Sequence, residues 1–186
     1  MSKLHLGCGN KHIPGFINID ARDDCGADVV ADITGVSRVF RNVDVIYSSH
    51  TLEHLPRNLL PGHKRTYLET LHNWYDALRQ GGELYLSVPD FAAICAQYAD
   101  KGNLKELYGL LLGGQRTERD MYDVHFHVFD EKTLTEDLLK IGFTKVERYD
   151  ALSTEWKDID DYSQAFLPHM DKKNGRLMSL NIKATK

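Results

Sequence analysis

Seven short apolar runs, each bounded by turn-forming residues, alternate with longer stretches in which apolar positions recur every three or four residues. The runs are KLHLG (3–7), FINID (16–20), ADVVADI (27–33), VDVIYSS (43–49), GELYLSVPD (82–90), GFTKVERYD (142–150) and RLMSLNIKATK (176–186). Alternation of this kind predicts an α/β fold with a mostly parallel sheet covered by helices. Between Ser49 and Gly81, the spacing of Tyr67, Leu68, Leu71, Trp74, Tyr75 and Leu78 predicts a crossover helix closed by Gly81. Asp90 reads as the N-cap of FAAICAQYAD, and Asp130 as the N-cap of a helix running to Gly142. Residues 113–128 and 151–175 have the least regular patterns.

The 186 residues suit one domain, 1–186, with no linker or repeat. Lys plus Arg number 23 against 27 for Asp plus Glu, and the cations are scattered, so a long nucleic acid is not expected as a partner. The start, MSKLHLGCGN, has no signal-peptide pattern and no run is long enough to insert into a membrane, which gives a cytoplasmic expectation. Cys8, Cys25 and Cys95 are widely spaced and predict neither disulfides nor a cysteine metal site. The oligomeric state leaves no mark in the sequence.

In a doubly wound sheet, ligands sit beyond the carboxyl ends of the strands. The first run ends in Gly7-Cys8-Gly9-Asn10, where glycine lets a ligand lie against backbone. The second ends in Asp20, a carboxylate able to accept both ribose hydroxyls, and the third in Asp32-Ile33, placed to meet a flat heterocycle. Each feature alone is a common turn or cap, but in this order they describe a nucleoside pocket. His12, Pro14 and Gly15 leave no room for the helix that a dinucleotide pyrophosphate requires. S-adenosyl-L-methionine, a nucleoside without phosphate, fits better.

Over essentially its whole length the chain resembles the class I S-adenosylmethionine-dependent methyltransferases, through LHLGCGN, INID, ADVVADI, VDVIYSSHTLEHL, LRQGGELYLSVPDF and HVFDEKTLTEDLLKIGFTKVE. It looks most like a small bacterial-type branch, often associated with cell-surface sugars, with a shortened first crossover. The resemblance implies a Rossmann-like methyltransferase fold: a seven-stranded, mostly parallel sheet, the last strand antiparallel, with helices on both faces. It places Gly7, Cys8 and Gly9 on the methionine part, Asp20 on the ribose, Asp32 and Ile33 on the adenine, and Ser49 and His50 near the sulfonium. His5, counted with the cofactor contacts, stands where many members are acidic, and Asn10 replaces a possible third glycine.

The spacing His50-x-x-Glu53-His54 also matches a reversed zinc-hydrolase motif. It lies, however, where a strand of a nucleoside-binding sheet hands over to a helix. No metal is therefore expected there: Glu53 is read as making a helix-start hydrogen bond and His54 as a half-buried imidazole. The expected activity is in-line methyl transfer to a small-molecule or glycan acceptor, through a hydroxyl. Tyr122, Asp123, His125, His127, Trp156 and Tyr162 are its candidate acceptor-side residues. His125 is the first candidate base, oriented by Asp123 or His50, with His50 and Asp90 as substitutes. A non-catalytic S-adenosylmethionine-binding module and the zinc hydrolase are the competing readings.

Overall fold

The structure, a computed structural model, describes residues 1–114 and 123–186. All seven runs contribute strands: β1 (Lys3–Leu6), β2 (Ile17–Asp20), β3 (Val29–Val30), β4 (Val43–Ser49), β5 (Leu78–Pro89), β6 (Lys145–Arg148) and, after the short pair β7 (Phe166–Leu167) and β8 (Arg176–Leu177), β9 (Ser179–Thr185). The main sheet has the order β3-β2-β1-β4-β5-β9-β6. Strand β9 runs antiparallel to β5 and β6, while the pairs from β3 to β5 are parallel.

Helix α1 (Tyr67–Ala77) starts at a capping box, in which Thr66 caps the Glu69 amide and the Glu69 carboxylate returns to the Thr66 amide. It buries Leu71 and Trp74 against Leu4, Leu6, Ile46, Leu84 and Leu86, with Leu134 and Leu138 of α4 (Glu131–Ile141) beside them. Trp74 Nε1 donates to the Ile33 carbonyl at 2.8 Å, which ties the helix to the chain leaving β3. The helix does not reach Gly81. Leu78 already pairs with Val43, and the Gly81 amide bonds to Lys186, so the sheet captures the chain one turn early. The segment 50–54 forms a short 3-10 turn at Leu52–His54 rather than the start of α1.

Asp90 caps α2 (Phe91–Lys101), accepting from the Ala92 and Ala93 amides at 3.0 and 3.3 Å. After it come α3 (Tyr108–Leu112) and α4, the latter capped by Asp130 and ended at Gly142 as its sequence predicts. Tyr47 points to the face opposite Ile46. There it packs with Ile13 and Phe16 from the first connection and Trp156 from the last irregular segment, so loops cover this part, as the shortened first crossover implies. The physical reason is length: residues 7–16 join β1 to β2 with a tight turn and leave no helix to lay on the sheet. Among the described residues, no helix is long and apolar enough to cross a membrane.

Candidate functional site

At the carboxyl ends of β1 to β4 lies a cleft of about 1120 Å³. It exceeds the roughly 300 to 1,000 Å³ of ordinary small-ligand sites, leaving space for two ligands side by side. All nine residues predicted for the cofactor line it: His5, Gly7, Cys8, Gly9, Asp20, Asp32, Ile33, Ser49 and His50.

The loop after β1 is held by the strand ends beside it. The amides of Gly7 and Cys8 both donate to the Ile19 carbonyl, at 2.8 and 3.2 Å. Gly7 has φ +70, and a Cβ there would lie 2.3 Å from Thr51 Oγ1, so neither the backbone nor the packing accepts a side chain. Asp20 is buried; it accepts from the Gly9 amide at 2.7 Å and from the Arg22 amide at 2.9 Å. Asp32 accepts from the Thr34 amide and hydroxyl at 2.9 and 2.7 Å and faces Lys64 Nζ at 3.2 Å. Burial alone would raise the Asp32 carboxyl, but the Thr34 bonds and the Lys64 ammonium outweigh it and hold the group below its ordinary range.

His5 is buried beneath this loop. It shares Asn18 Oδ1 with the Ile13 amide, at 3.1 and 2.8 Å, and its ring lies against Tyr47. Asn18 Nδ2 in turn donates to Asp28 at 2.8 Å, so one buried amide fixes the first connection and the approach to β3. Burial pushes the His5 pKa down despite the Asn18 bond. The Cys8 thiol is pushed up to about 12 by burial and then by neighbouring Asp20, so it is no nucleophile at neutral pH.

The opposite wall begins at the end of β4. Ser49 Oγ donates to the Asp161 carbonyl at 2.6 Å, and Tyr47 hydrogen-bonds the Asp161 carboxylate. His50 has φ +47 and places Nε2 2.8 Å from Ser179 Oγ. Ser179 gives its own proton to the Tyr162 carbonyl at 2.7 Å, so His50 Nε2 is the donor in this pair. Glu53 is turned inward and fully buried, without the expected helix-start bond, and among the described residues neither carboxylate oxygen has a hydrogen-bond partner. His50 Nδ1 stands 3.3 Å from Oε1 without hydrogen-bond geometry, and His125 Nε2 stands 3.9 Å from it. Burial raises the Glu53 carboxyl; His50 first, then His54 and His125, more than offset it, so the net shift is downward.

The candidate acceptor residues divide. Asp123 and Tyr162 line the cleft. His125 lies behind the wall, its Nδ1 bonded to the Leu110 carbonyl at 3.0 Å and its side chain 8% exposed. His127 is stacked on Tyr67 and edged by Phe129, and Trp156 belongs to the core on the far face of the sheet. Asp90 caps α2 and faces Arg148 at 3.4 Å, away from the cleft lining. Tyr122 lies outside the described residues. Sequence reasoning missed Asp161, His63, Lys64 and Arg65, which line the cleft from irregular segments where no periodicity marks a position. It also did not bring together Glu53, His54 and His125, which are 71 or 72 positions apart at their widest yet present ligand-type atoms within 4.8 Å of one another.

No protein-family model matches the chain, and no curated protein matches it significantly. Solved structures do match. A SAM-dependent methyltransferase from Archaeoglobus fulgidus is 15% identical with a TM-score of 0.55, the match covering 100% of this chain and 86% of that one. An S-adenosylmethionine-dependent methyltransferase from Mesorhizobium loti is 15% identical with a TM-score of 0.54, covering 100% and 90%. A possible histamine N-methyltransferase from Thermotoga maritima is 13% identical with a TM-score of 0.54, covering 100% and 82%. At these identities the likeness establishes the shared fold: a Rossmann-like sheet of seven strands with the last antiparallel.

Proposed function

We propose that the chain is an S-adenosyl-L-methionine-dependent methyltransferase that uses this cleft. The observation that carries the reading is the conjunction at three neighbouring strand ends: a left-handed glycine turn at Gly7 lining the cleft, a buried carboxylate at Asp20 and a second carboxylate at Asp32. These residues fit a nucleoside cofactor, with Gly7 to Gly9 against its amino-acid part, Asp20 toward the ribose, and Asp32 with Ile33 at the base. When bound, that cofactor supplies an activated methyl group on a sulfonium.

The chain's own contribution is positioning, which is able to supply about 7 to 11 kcal/mol of such a barrier. Ser49 and His50 stand where the cofactor half of the cleft meets the acceptor half, both fixed by hydrogen bonds to distant elements. Asp123, Tyr162 and His54 continue that lining toward the mouth. The acceptor reading is a small molecule or glycan presenting a hydroxyl, for which His50, His54 and Asp123 are the nearest titratable groups in the wall. The same reading favours a cytoplasmic setting, where the three free cysteines would stay reduced.

The test is incubation of the purified chain with methyl-labelled cofactor and pooled small-molecule and glycan extracts, with calorimetry of cofactor binding alongside. Binding with a labelled product is expected. Binding with no product from any extract would favour a non-catalytic module, and no binding at all would remove the reading.

A further inference from the structure

We infer that Glu53, His54 and His125 hold a divalent transition-metal cation at the acceptor wall of the cleft. The inference starts from a count of protons. His54 Nδ1 lies 3.1 Å from the Val124 carbonyl, and His125 Nδ1 3.0 Å from the Leu110 carbonyl. A carbonyl only accepts, so each imidazole carries a proton on Nδ1, and in its neutral form offers a lone pair on Nε2. The third member is the Glu53 carboxylate, fully buried and, among the described residues, without a hydrogen-bond partner on either oxygen. With both rings neutral, three ligand-type atoms converge, and among the described residues none donates a hydrogen bond to the carboxylate.

Burying an ionised carboxylate is costly, and the nearest group able to offset it, His50 Nδ1 at 3.3 Å, makes no hydrogen bond to it. A shared proton does not bridge the gap, because His125 Nε2 and Glu53 Oε1 are 3.9 Å apart, beyond hydrogen-bond range. A cation fits it. At metal–ligand distances of about 2.1 Å, two ligands of one tetrahedral ion stand about 3.4 Å apart. The three ligand atoms lie within 4.8 Å of one another, so they must draw in by up to about 1.4 Å around the ion.

The outer arrangement agrees. Metal-bound histidines usually donate their second nitrogen to a carbonyl or carboxylate, which fixes the ring, and both imidazoles here do so. The backbone locks the pieces together as well: the Glu53 carbonyl accepts from the amides of Phe126 and His127 at 2.8 and 3.2 Å, which draws the 123–127 segment onto the 3-10 turn. Two imidazoles and one carboxylate favour zinc, iron(II), cobalt or manganese over calcium or magnesium, and three protein ligands leave a coordination position open. His54 belongs both to this trio and to the cleft lining, and His50 Nδ1, 3.3 Å from Glu53 Oε1, is the nearest further donor. This is a different set from the one the sequence motif advertises, in which His50 and His54 would bind and Glu53 would act as base. If the methyltransferase reading holds, the open position is where an acceptor oxygen would bind.

The experiment uses the full chain, stripped with chelator and titrated with Zn²⁺, Mn²⁺ and Mg²⁺ by calorimetry, then with Co²⁺ by visible absorption, all without cofactor. One equivalent of zinc or manganese should bind, cobalt should give the intense bands of a low-coordinate site, and zinc should raise the melting temperature. Glu53→Gln should weaken binding at least about 100-fold. His54→Ala, at a half-buried side chain, serves the same purpose if Glu53→Gln fails to fold, and His72→Ala, an exposed histidine, should change nothing. Absence of stoichiometric binding, or binding unaffected in both Glu53→Gln and His54→Ala, overturns the site and leaves a buried His50–Glu53 ion pair in its place. Because the readout omits cofactor, metal binding without any cofactor binding would count against the proposed function alone.

Discussion

From His5 to Ile33 the cleft is built by neighbours in sequence, whereas the wall facing it is collected from three distant parts of the chain. Gly9 and Asp20, joined by a 2.7 Å bond, are 11 positions apart, and His5 and Asn18 are 13 apart. Across the mouth, His54 bonds Val124 over 70 positions, Ser49 bonds Asp161 over 112, and His50 meets Ser179 over 129. The first half closes its polar groups on one another. The second keeps a carboxylate buried that, among the described residues, has no hydrogen-bond partner. A preformed, internally satisfied half suits a ligand that is always the same, and a wall with unspent bonding capacity suits the chemistry and the variable ligand.

The largest effect that would break this comparison is expected at Gly7. Alanine there combines a left-handed backbone, about 1 to 2 kcal/mol, with displacement of Thr51, about 1 to 3 kcal/mol, so Gly7→Ala should lower unfolding free energy by roughly 2 to 5 kcal/mol. Urea denaturation measures it. Adding Thr51→Gly should recover the packing share and leave the backbone share, and a double-mutant cycle with no coupling would mean that the loop after β1 is not wedged against the turn after β4.

Asp20 comes next. If it accepts charge-assisted hydrogen bonds from a ribose, Asp20→Ala should cost about 1.5 to 3 kcal/mol of cofactor affinity by calorimetry. The variant also frees the Gly9 amide, so Asp20→Asn, which can still accept from that amide, should fall between the two. Unchanged affinity in a folded Asp20→Ala protein would remove the carboxylate from the site and with it the reason for calling this the cofactor half.

The third effect is on pH dependence. His5 is neutral and buried in the folded chain with its pKa lowered from 6.5, whereas the unfolded chain titrates near that value. Above pH 6.5 neither state takes the proton and the full stability is present. As pH falls below 6.5 the unfolded state binds it first, and stability drops by up to about 1.4 kcal/mol per pH unit until the folded pKa is reached. Denaturation midpoints of wild type and His5→Gln between pH 5 and 8 isolate the contribution. Parallel curves would show that His5 does not titrate differently in the two states.

What the sequence discloses follows the same division. Gly7 to Gly9, Asp20 and Asp32 are legible because a strand end, a glycine turn and a carboxylate are local signals in a known order. The Asp90 and Asp130 caps are legible for the same reason, being set by amides two or three residues ahead. Gly81 misleads because pairing of Leu78 with Val43 overrides the helical period. The short first connection is legible too, but not that Trp156, far along the chain, covers the sheet in its place. The trio Glu53, His54 and His125 is illegible as a unit, since no period links residues brought together by the fold alone. Its one trace is a carboxylate and a histidine, Glu53 and His54, set between Leu52 and Leu55, with His125 far along the chain among aromatics in HFHVF.

The smallest effect concerns Asp90, which the sequence offers both as a helix cap and as a substitute base. The geometry makes it a cap, since its Oδ1 takes two amides of the first turn of α2, its Oδ2 faces Arg148 at 3.4 Å, and it is absent from the cleft lining. The Arg148 side chain is 49% exposed, so that ion pair adds little to the cap. Asp90→Ala should therefore cost about 1 kcal/mol of stability, the usual loss of an N-cap, and Asp90→Asn, which caps as well as aspartate, only a few tenths. Turnover should stay within a few-fold in both variants once they are assayed below their melting transitions, with the same pH profile as wild type. A base would respond otherwise: both variants would lose about 100-fold or more in turnover at neutral pH, the asparagine no less than the alanine, because capping ability is kept in asparagine and proton acceptance is not. Asn-like stability paired with base-like loss of turnover would move Asp90 into the site and place chemistry in the half of the molecule that its hydrogen bonds mark as structural.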